Sequence, residues 1–455
     1  MNGSNGKERK GGGDDDDDDD DDGDEGRSEF GGEALCDRGM TVVNWKHSRI
    51  PELARALGCG IRQGCPKKYN SEDFDTMWLI TFQYTLVDRI GEGTYGVVYR
   101  ALDRITGDVV ALKRCLPHHE SSDGFPLTTL REVTILRELD RMGGRDHGII
   151  GLRDVAVSSS RSGVFLVFEY AQHDLATLVD DHHAKHGRSP FKPSEVKRLT
   201  LQLLDALHFL HSRHILHRDL KLSNLLYDHR GMLRVADFGL ARRVGGSCVS
   251  SSVGGVHGGH RRRLRGGERG VDGDVITHSY DDDDYDDYDI ASCRLTPKVA
   301  SLWYRPPELL LGAERYDQGV DIWGAGCVMG ELLRGRPLMD GKTEMDQLSK
   351  MFAFLGPPSS EDWPGLHELP LFKSGEIEIP KRWQVNNDGL HLLDVFRDWG
   401  CPPGIRLLMG LLKYDPSSRL TASEALATDY FTTMPAPTPL SLMPMFPTKH
   451  SKLSH

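Results

Sequence analysis

One stretch constrains this 455-residue chain more than any other: His217-Arg218-Asp219-Leu220-Lys221-Leu222-Ser223-Asn224, followed thirteen residues after Asn224 by Asp237-Phe238-Gly239. Asp219 and Asn224 stand five residues apart with Lys221 between them. Asp219 can accept the proton of a hydroxyl group. Asn224 and Asp237 are hard oxygen donors of the kind a small divalent cation takes. A polar loop could carry one such group by chance. Two short motifs in fixed order argue for a site.

A second constellation lies upstream. Ile90-Gly91-Glu92-Gly93-Thr94-Tyr95-Gly96-Val97-Val98-Tyr99 sets G-x-G-x-x-G between two apolar runs. Dinucleotide-binding turns share that pattern, but they open a helix. Here β-branched and aromatic residues continue past the third glycine, which predicts a hairpin. The next strand-like run carries Val110-Ala111-Leu112-Lys113. An amphipathic helix is predicted from Pro126-Leu127-Thr128-Thr129-Leu130-Arg131-Glu132 to about Arg141.

Composition excludes several classes. No apolar run is long enough to span a membrane. The N-terminus lacks a basic segment followed by an apolar one, so secretion is not indicated. Cys36, Cys59, Cys65, Cys115, Cys248, Cys293, Cys327 and Cys401 form no C-x-x-C unit, so neither a zinc site nor a disulfide framework is expected. Reduced thiols fit the nucleus, the cytoplasm or both. The net charge of −12 is uneven: residues 1–38 hold 15 acidic and 5 basic residues, and residues 245–294 hold 10 and 6, which leaves about +2 for the rest. The acidity therefore says little about the site. The aspartate run at 14–22 repels itself and has nothing apolar to bury, so 1–40 reads as a disordered tail. Residues 41–81 read as an N-terminal extension. Residues 432–455, rich in Pro, Ser and Lys, read as a flexible tail.

H-R-D-L-x-x-x-N followed by D-F-G, with the glycine loop and the Lys113 strand upstream, resembles the eukaryotic protein kinases. The resemblance covers residues 82–431. It implies an α+β, bilobal kinase fold: a small β-rich N-lobe (82–170) with one regulatory helix, and a larger helical C-lobe (171–431). The cofactors implied are ATP and Mg²⁺. Asp219, Lys221 and Ser301 would be catalytic, with Asn224 and Asp237 on the metal. Ile90, Gly91, Glu92, Gly93, Thr94, Tyr95, Gly96, Val98, Ala111 and Lys113 would line the ATP site. So would Glu132 as the partner of Lys113, Phe168 at the back, Glu169 and Ala171 in the hinge, Asp174 at the ribose edge and Leu226 as the adenine floor. Asp321 would brace the catalytic-loop backbone, and Glu308 would pair with Arg419. Lys221, two residues after Asp219, is the serine/threonine-kinase form.

The heptapeptide Pro126-Leu127-Thr128-Thr129-Leu130-Arg131-Glu132 resembles the cyclin-contacting helix of cyclin-dependent kinases, closest to the PITSLRE and PISSLRE types, members ten and eleven. That resemblance implies a cyclin partner, proline-directed Ser/Thr protein substrates, an activating kinase, and a role in the cell cycle or transcription. Neither direct nucleic-acid binding nor a membrane is expected. Thr94 and Tyr95 match inhibitory phosphorylation sites, and Thr296 the activating one. Arg131, Arg218 and Arg242 would receive its phosphate, since three arginines from separate elements suit one dianion. Ala300 stands where the family often has valine in the pocket for the residue after the acceptor.

The chain departs from the family between Asp237 and Glu308, where 70 residues intervene. The excess at 245–294 joins Arg261-Arg262-Arg263-Leu264-Arg265 to an acidic, tyrosine-bearing run and reads as a disordered insertion, with import, nucleic-acid or internal pairing roles as lesser readings. Two rivals remain. A mitogen-activated-type kinase needs Thr-x-Tyr, which Thr296-Pro297-Lys298 does not supply. A non-catalytic cyclin-binding scaffold would lack Lys113, Asp219, Asn224 or Asp237, and all four are present.

Overall fold

A computed structural model describes residues 84–93, 96–115, 127–157, 164–244, 295, 299–377 and 390–448, together with a two-residue antiparallel ladder that pairs Thr41–Val42 with Leu79–Ile80. The expectations placed on the acidic tail, the 245–294 insertion, Thr94, Tyr95, Pro126 and Thr296 lie outside the described residues.

The N-lobe is built on a five-stranded antiparallel sheet. Its strands are β1 (Tyr84–Gly93), β2 (Gly96–Asp103), β3 (Val109–Cys115), β4 (Leu152–Val157) and β5 (Val164–Glu169), in the order β1-β2-β3-β5-β4. Between β3 and β4 runs helix α1 (Leu127–Arg141). Thr129, Glu132, Val133, Leu136 and Leu139 are buried on it at the 3.6-residue spacing of one helical face. The hairpin expected of the glycine loop is the β1–β2 pair, with Gly93 opposite Gly96. Gly96 adopts φ +145°, and a Cβ there would lie 1.9 Å from the Arg114 carbonyl oxygen. Only glycine fits, because the β3 backbone passes that close.

The C-lobe follows as β6 (His173–Asp174), α2 (Leu175–His186), α3 (Pro193–His211), β7 (Ile215–Leu216), β8 (Leu225–Tyr227), β9 (Leu233–Val235), β10 (Arg242–Arg243), α4 (Gly319–Arg334), α5 (Glu344–Leu355) and α6 (Pro402–Leu411). Strands β9, β8 and β6 form one small sheet, and β7 pairs with β10. Helix α4 is buried on all sides, as an apolar helix at the centre of a lobe should be. Its Gly324 lies against the catalytic loop, where an added Cβ would sit 3.0 Å from Leu220 Cβ. Among the described residues no helix is long and apolar enough to cross a membrane.

Composition misleads at the C-terminal end. Residues 432–448 do not form the flexible tail expected but lie along α3 and the β8–β9 turn. Lys197 Nζ donates to the carbonyls of Thr433 (3.0 Å) and Pro435 (2.8 Å), and Arg198 Nε to that of Thr438 (2.6 Å). Tyr227 OH donates to the Pro444 carbonyl (2.7 Å), and Met443 is buried. Proline removes backbone donors and stiffens the chain, so a Pro-rich segment docks cheaply when side chains of the body supply the donors.

Candidate active site

The catalytic loop is held from below by one carboxylate. Asp321, in the first turn of α4, accepts the backbone N–H of His217 (2.9 Å) and of Arg218 (2.8 Å), and His211 Nε2 (3.0 Å). Burial works to raise its pKa; His211, His217 and the Arg218 amide override this and hold it below the usual carboxylate value. The loop needs such a brace because Arg218 is left-handed, with φ +68°. Among the described residues four non-glycine residues have positive φ: His214, Arg218, Asp237 and Ala300. Each such backbone costs about 1–2 kcal/mol, and three of the four lie at this site.

Above the brace, Asp219 is the hub. Lys221 Nζ donates to Asp219 Oδ2 (2.8 Å) and to Ser301 Oγ (3.1 Å). Ser301 Oγ and its N–H both donate to Asp219 Oδ1 (3.0 and 3.1 Å). Asn224 Nδ2 donates to the Asp219 carbonyl (2.8 Å) and to Oδ2 (3.1 Å). The three residues expected to be catalytic are therefore one network.

On the N-lobe side Lys113 Nζ lies 2.9 and 3.1 Å from the two Glu132 oxygens and 2.7 Å from Asp237 Oδ1. Burial alone would lower the Lys113 ammonium; Glu132 and Asp237 hold it above its ordinary value. Burial raises Glu132 in spite of Lys113, whereas Asp237 is held below the usual range because Lys113 outweighs its burial. Phe238 is fully buried with its ring edge-on to His217, which anchors the strained Asp237.

A hard divalent cation can be tested against these donors. The Asn224 amide nitrogen is spent on Asp219, so its oxygen is the group left to bind a cation. Asp237 has one oxygen on Lys113 and is ionised. Two oxygen donors with no sulfur or imidazole between them fit a cation that completes its shell with phosphate oxygens.

Around this centre Ala111, Phe168 and Leu226 occupy β3, β5 and β8; Ala111 pairs with Phe168, and Leu226 with Asp174. Ile90 and Gly91 lie on β1, and Val98 on β2 faces Lys113 in the ladder. Glu169 ends β5 and pairs through Oε1 with Arg145 Nη1 (2.9 Å), so its side chain is turned to that arginine and its backbone leads into Ala171. Asp174 caps α2, accepting the Thr177 N–H at 2.8 Å. Glu308 and Arg419 form a buried bidentate pair (2.7 and 2.6 Å). Of the three arginines expected on a phosphothreonine, Arg218 and Arg242 both bear on the Tyr316 hydroxyl, and Arg218 Nη1 donates to it at 2.8 Å. Arg131 lies beside Glu132 on α1. Leu295, next to Thr296, donates its N–H to the Glu314 carbonyl (2.9 Å).

Sequence reasoning missed Arg305. Its Nε and Nη2 lie 3.3 and 2.9 Å from the Ala300 carbonyl, and Nε donates to that of Val299 at 2.9 Å. The five-residue offset from Ala300 was the only signal. It carries no meaning until Ala300 is known to be left-handed (φ +61°).

Known proteins agree with this geometry. The protein kinase domain model matches residues 84–257 and 287–431. A Dictyostelium discoideum protein named "Probable cyclin-dependent kinase 10" is 40% identical over 362 residues, 80% of this chain and 82% of that one. Human "Cyclin-dependent kinase 11B" is 38% identical over 369 residues, and Drosophila melanogaster "Serine/threonine-protein kinase PITSLRE" 37% over the same length; this chain spans only 38% and 33% of those two proteins. A kinase domain implies use of ATP and a divalent metal. With its catalytic loop, its DFG segment and its buried lysine–glutamate pair in place, this chain belongs to the protein kinase family, in the cyclin-dependent kinase branch, and is a serine/threonine protein kinase.

Proposed function

We propose that the chain transfers the γ-phosphate of Mg·ATP to Ser or Thr followed by Pro, under control of a cyclin-type partner. The observation that carries the chemistry is the Asp219 network. Asp219 accepts the substrate hydroxyl as a hydrogen-bond donor and takes its proton as the oxygen commits to phosphorus. Lys221 and Ser301 keep the carboxylate pointed, and Lys221 faces the transferred phosphate. Lys113, aimed by Glu132, holds the α- and β-phosphates. Mg²⁺, held by Asn224 and Asp237, would neutralise charge on the phosphate oxygens.

Arg305 supports the proline preference. The Ala300 carbonyl is already taken by Arg305 and so cannot accept the N–H of the residue after the acceptor. An unpaired N–H costs about 1–3 kcal/mol, and proline has none to lose.

Cyclin control would act on α1, which already carries Glu132 to within 2.9 Å of Lys113, so a partner would hold that helix in place. The relatives' names point the same way. Phosphorylation of Thr296 by an activating kinase would supply the dianion that Arg131, Arg218 and Arg242 are expected to receive.

The test is a kinase assay on the full chain with and without co-purified cyclin, using paired Ser-Pro and Ser-Ala peptides. Strong transfer to Ser-Pro only in the complex, reduced in Thr296→Ala, is expected. Equal rates on both peptides would remove the proline reading, and full activity of the lone chain the cyclin one.

A further inference from the structure

Strand β6 has only two residues, at the edge of its sheet, yet one of them is the ribose-edge Asp174. Its ladder with β8 pairs Asp174 with Leu226 and His173 with Tyr227. Paired residues share a face, and the next pair takes the opposite face. Asp174 and Leu226 are thus the front of this ladder, and His173 and Tyr227 its back.

The back is where the C-terminal strap ends. The ring of Phe446 stands edge-on to His173 (6.1 Å between centroids), to Tyr227 (6.0 Å) and to Phe191 (5.5 Å). Phe191 is edge-on to Tyr227 at 5.8 Å, which closes an aromatic cage around Phe446. The strap's backbone grips the same two residues. His173 Nε2 donates to the Phe446 carbonyl (3.2 Å), and Tyr227 OH to that of Pro444 (2.7 Å). One turn away, Met443 fills the space over Gly231, where a Cβ would lie 2.5 Å from Met443 Cβ.

We propose that Phe446 is a positioning residue for nucleotide binding: by clasping His173 and Tyr227 from behind, it fixes the ladder whose front pair forms the ribose edge and adenine floor. This rests on the ATP-site reading above. A two-residue edge strand has little stability of its own. Asp174 anchors it forward by capping α2, and the strap anchors it from behind. The anchors of the strap are separable. Lys197 and Arg198 hold 433–438, and the aromatic cage holds 443–446, so the second can be removed without the first.

The experiment uses the full chain and its active complex, with Phe446→Ala, Phe446→Tyr and a chain stopped after Thr438. A fluorescent ADP analogue reads affinity directly. Steady-state kinetics read KM for ATP, KM for peptide and kcat. Phe446→Ala and the shortened chain should raise the nucleotide Kd and the KM for ATP roughly fivefold, with kcat at saturating ATP and peptide KM within about twofold. Phe446→Tyr, which keeps the ring, should restore wild-type affinity. Unchanged Kd in both Phe446→Ala and the shortened chain, whatever their melting temperatures, overturns the proposal and leaves the strap a packing element only. Should either variant fail to fold, Phe446→Leu, which keeps an apolar side chain but not the ring, takes its place, and an unchanged Kd there overturns the proposal equally. A wild-type chain that does not bind ADP fails the nucleotide-site reading itself and this proposal with it. Equal binding by wild type and variants fails this proposal alone.

Discussion

The cleft and the strap each bury a lysine, and they neutralise it by different means. Lys113 keeps 14% of its side chain exposed and has two carboxylates within 3.1 Å. Lys197 is 1% exposed and faces two carbonyls and the Tyr430 ring, 4.5 Å from its centroid. Among the described residues no carboxylate pairs with it. Burial pushes its ammonium below the ordinary lysine value, the opposite of Lys113. Carboxylates suit a charge that must stay fully ionised beside phosphates. Carbonyl dipoles suffice where the charge only has to hold a backbone in place.

The largest effect belongs to Asp219→Asn. It removes the base; the amide oxygen still accepts from Lys221 and Asn224, and the amide nitrogen can donate to Ser301 Oγ, at the cost of the Ser301 N–H bond. Single-turnover transfer should fall by about 10²–10⁴-fold, with nucleotide affinity and melting temperature near wild type. A variant that turns over normally takes Asp219 out of the mechanism, and one that melts early makes the cleft a structural element.

Lys197→Met is the mirror experiment. It keeps the volume and removes two charge-assisted hydrogen bonds, leaving the Thr433 and Pro435 carbonyls unpaired. Relief of the buried charge offsets part of that loss. A net destabilisation of roughly 2–4 kcal/mol is expected in chemical denaturation, with kcat at saturating ATP unchanged within about twofold. A large fall in kcat without loss of stability would mean that the strap reaches the chemistry rather than the nucleotide wall alone.

The same contrast decides what could be read from the sequence. The catalytic loop, Asp237, Lys113 and Asp321 were legible because each must be one residue type at a fixed offset from the others. Gly96 was legible as the third glycine of its pattern, and the structure gives it a reason of its own: the Arg114 carbonyl forbids a Cβ there whatever binds in front. The strap was illegible. Pro, Ser and Lys are the composition of a linker, and the residues that order it lie more than 200 positions upstream. Lys197 sits inside an amphipathic helix where a lysine reads as solvent-facing. The one hint was its spacing: Thr200 and Leu204, three and seven residues on, are buried on that face. Arg305 shows the same limit, because its role depends on a backbone angle at Ala300 that no residue type announces.

Glu331 is the converse of Lys197: a buried carboxylate without a cation among the described residues. It lies on α4 and accepts the Tyr304 hydroxyl at 2.6 Å. Burial pushes it up to about 7, against the pull of that hydrogen bond. The folded chain therefore keeps this proton up to about pH 7, whereas an unfolded glutamate releases it near pH ~4.3. Between those values the folded state binds more protons, so this group's contribution to stability falls as pH rises and is lowest above pH ~7. Asp321 works in the other direction and lower: its depressed value adds stability above pH ~4 that is lost on acidification. The two windows do not overlap. Glu331→Gln keeps an acceptor for Tyr304 and removes the charge. It should match wild type at about pH 4 and gain roughly 1–3 kcal/mol at pH 8, read as a melting-temperature difference that opens between those values. Tyr304 ends the segment that carries Ser301, so kcat should stay within about twofold if the hydroxyl keeps its acceptor. A melting-temperature difference that is flat with pH would mean that Glu331 is ionised throughout. In that case this carboxylate, like the cation buried under the strap, would be a charge held by dipoles alone.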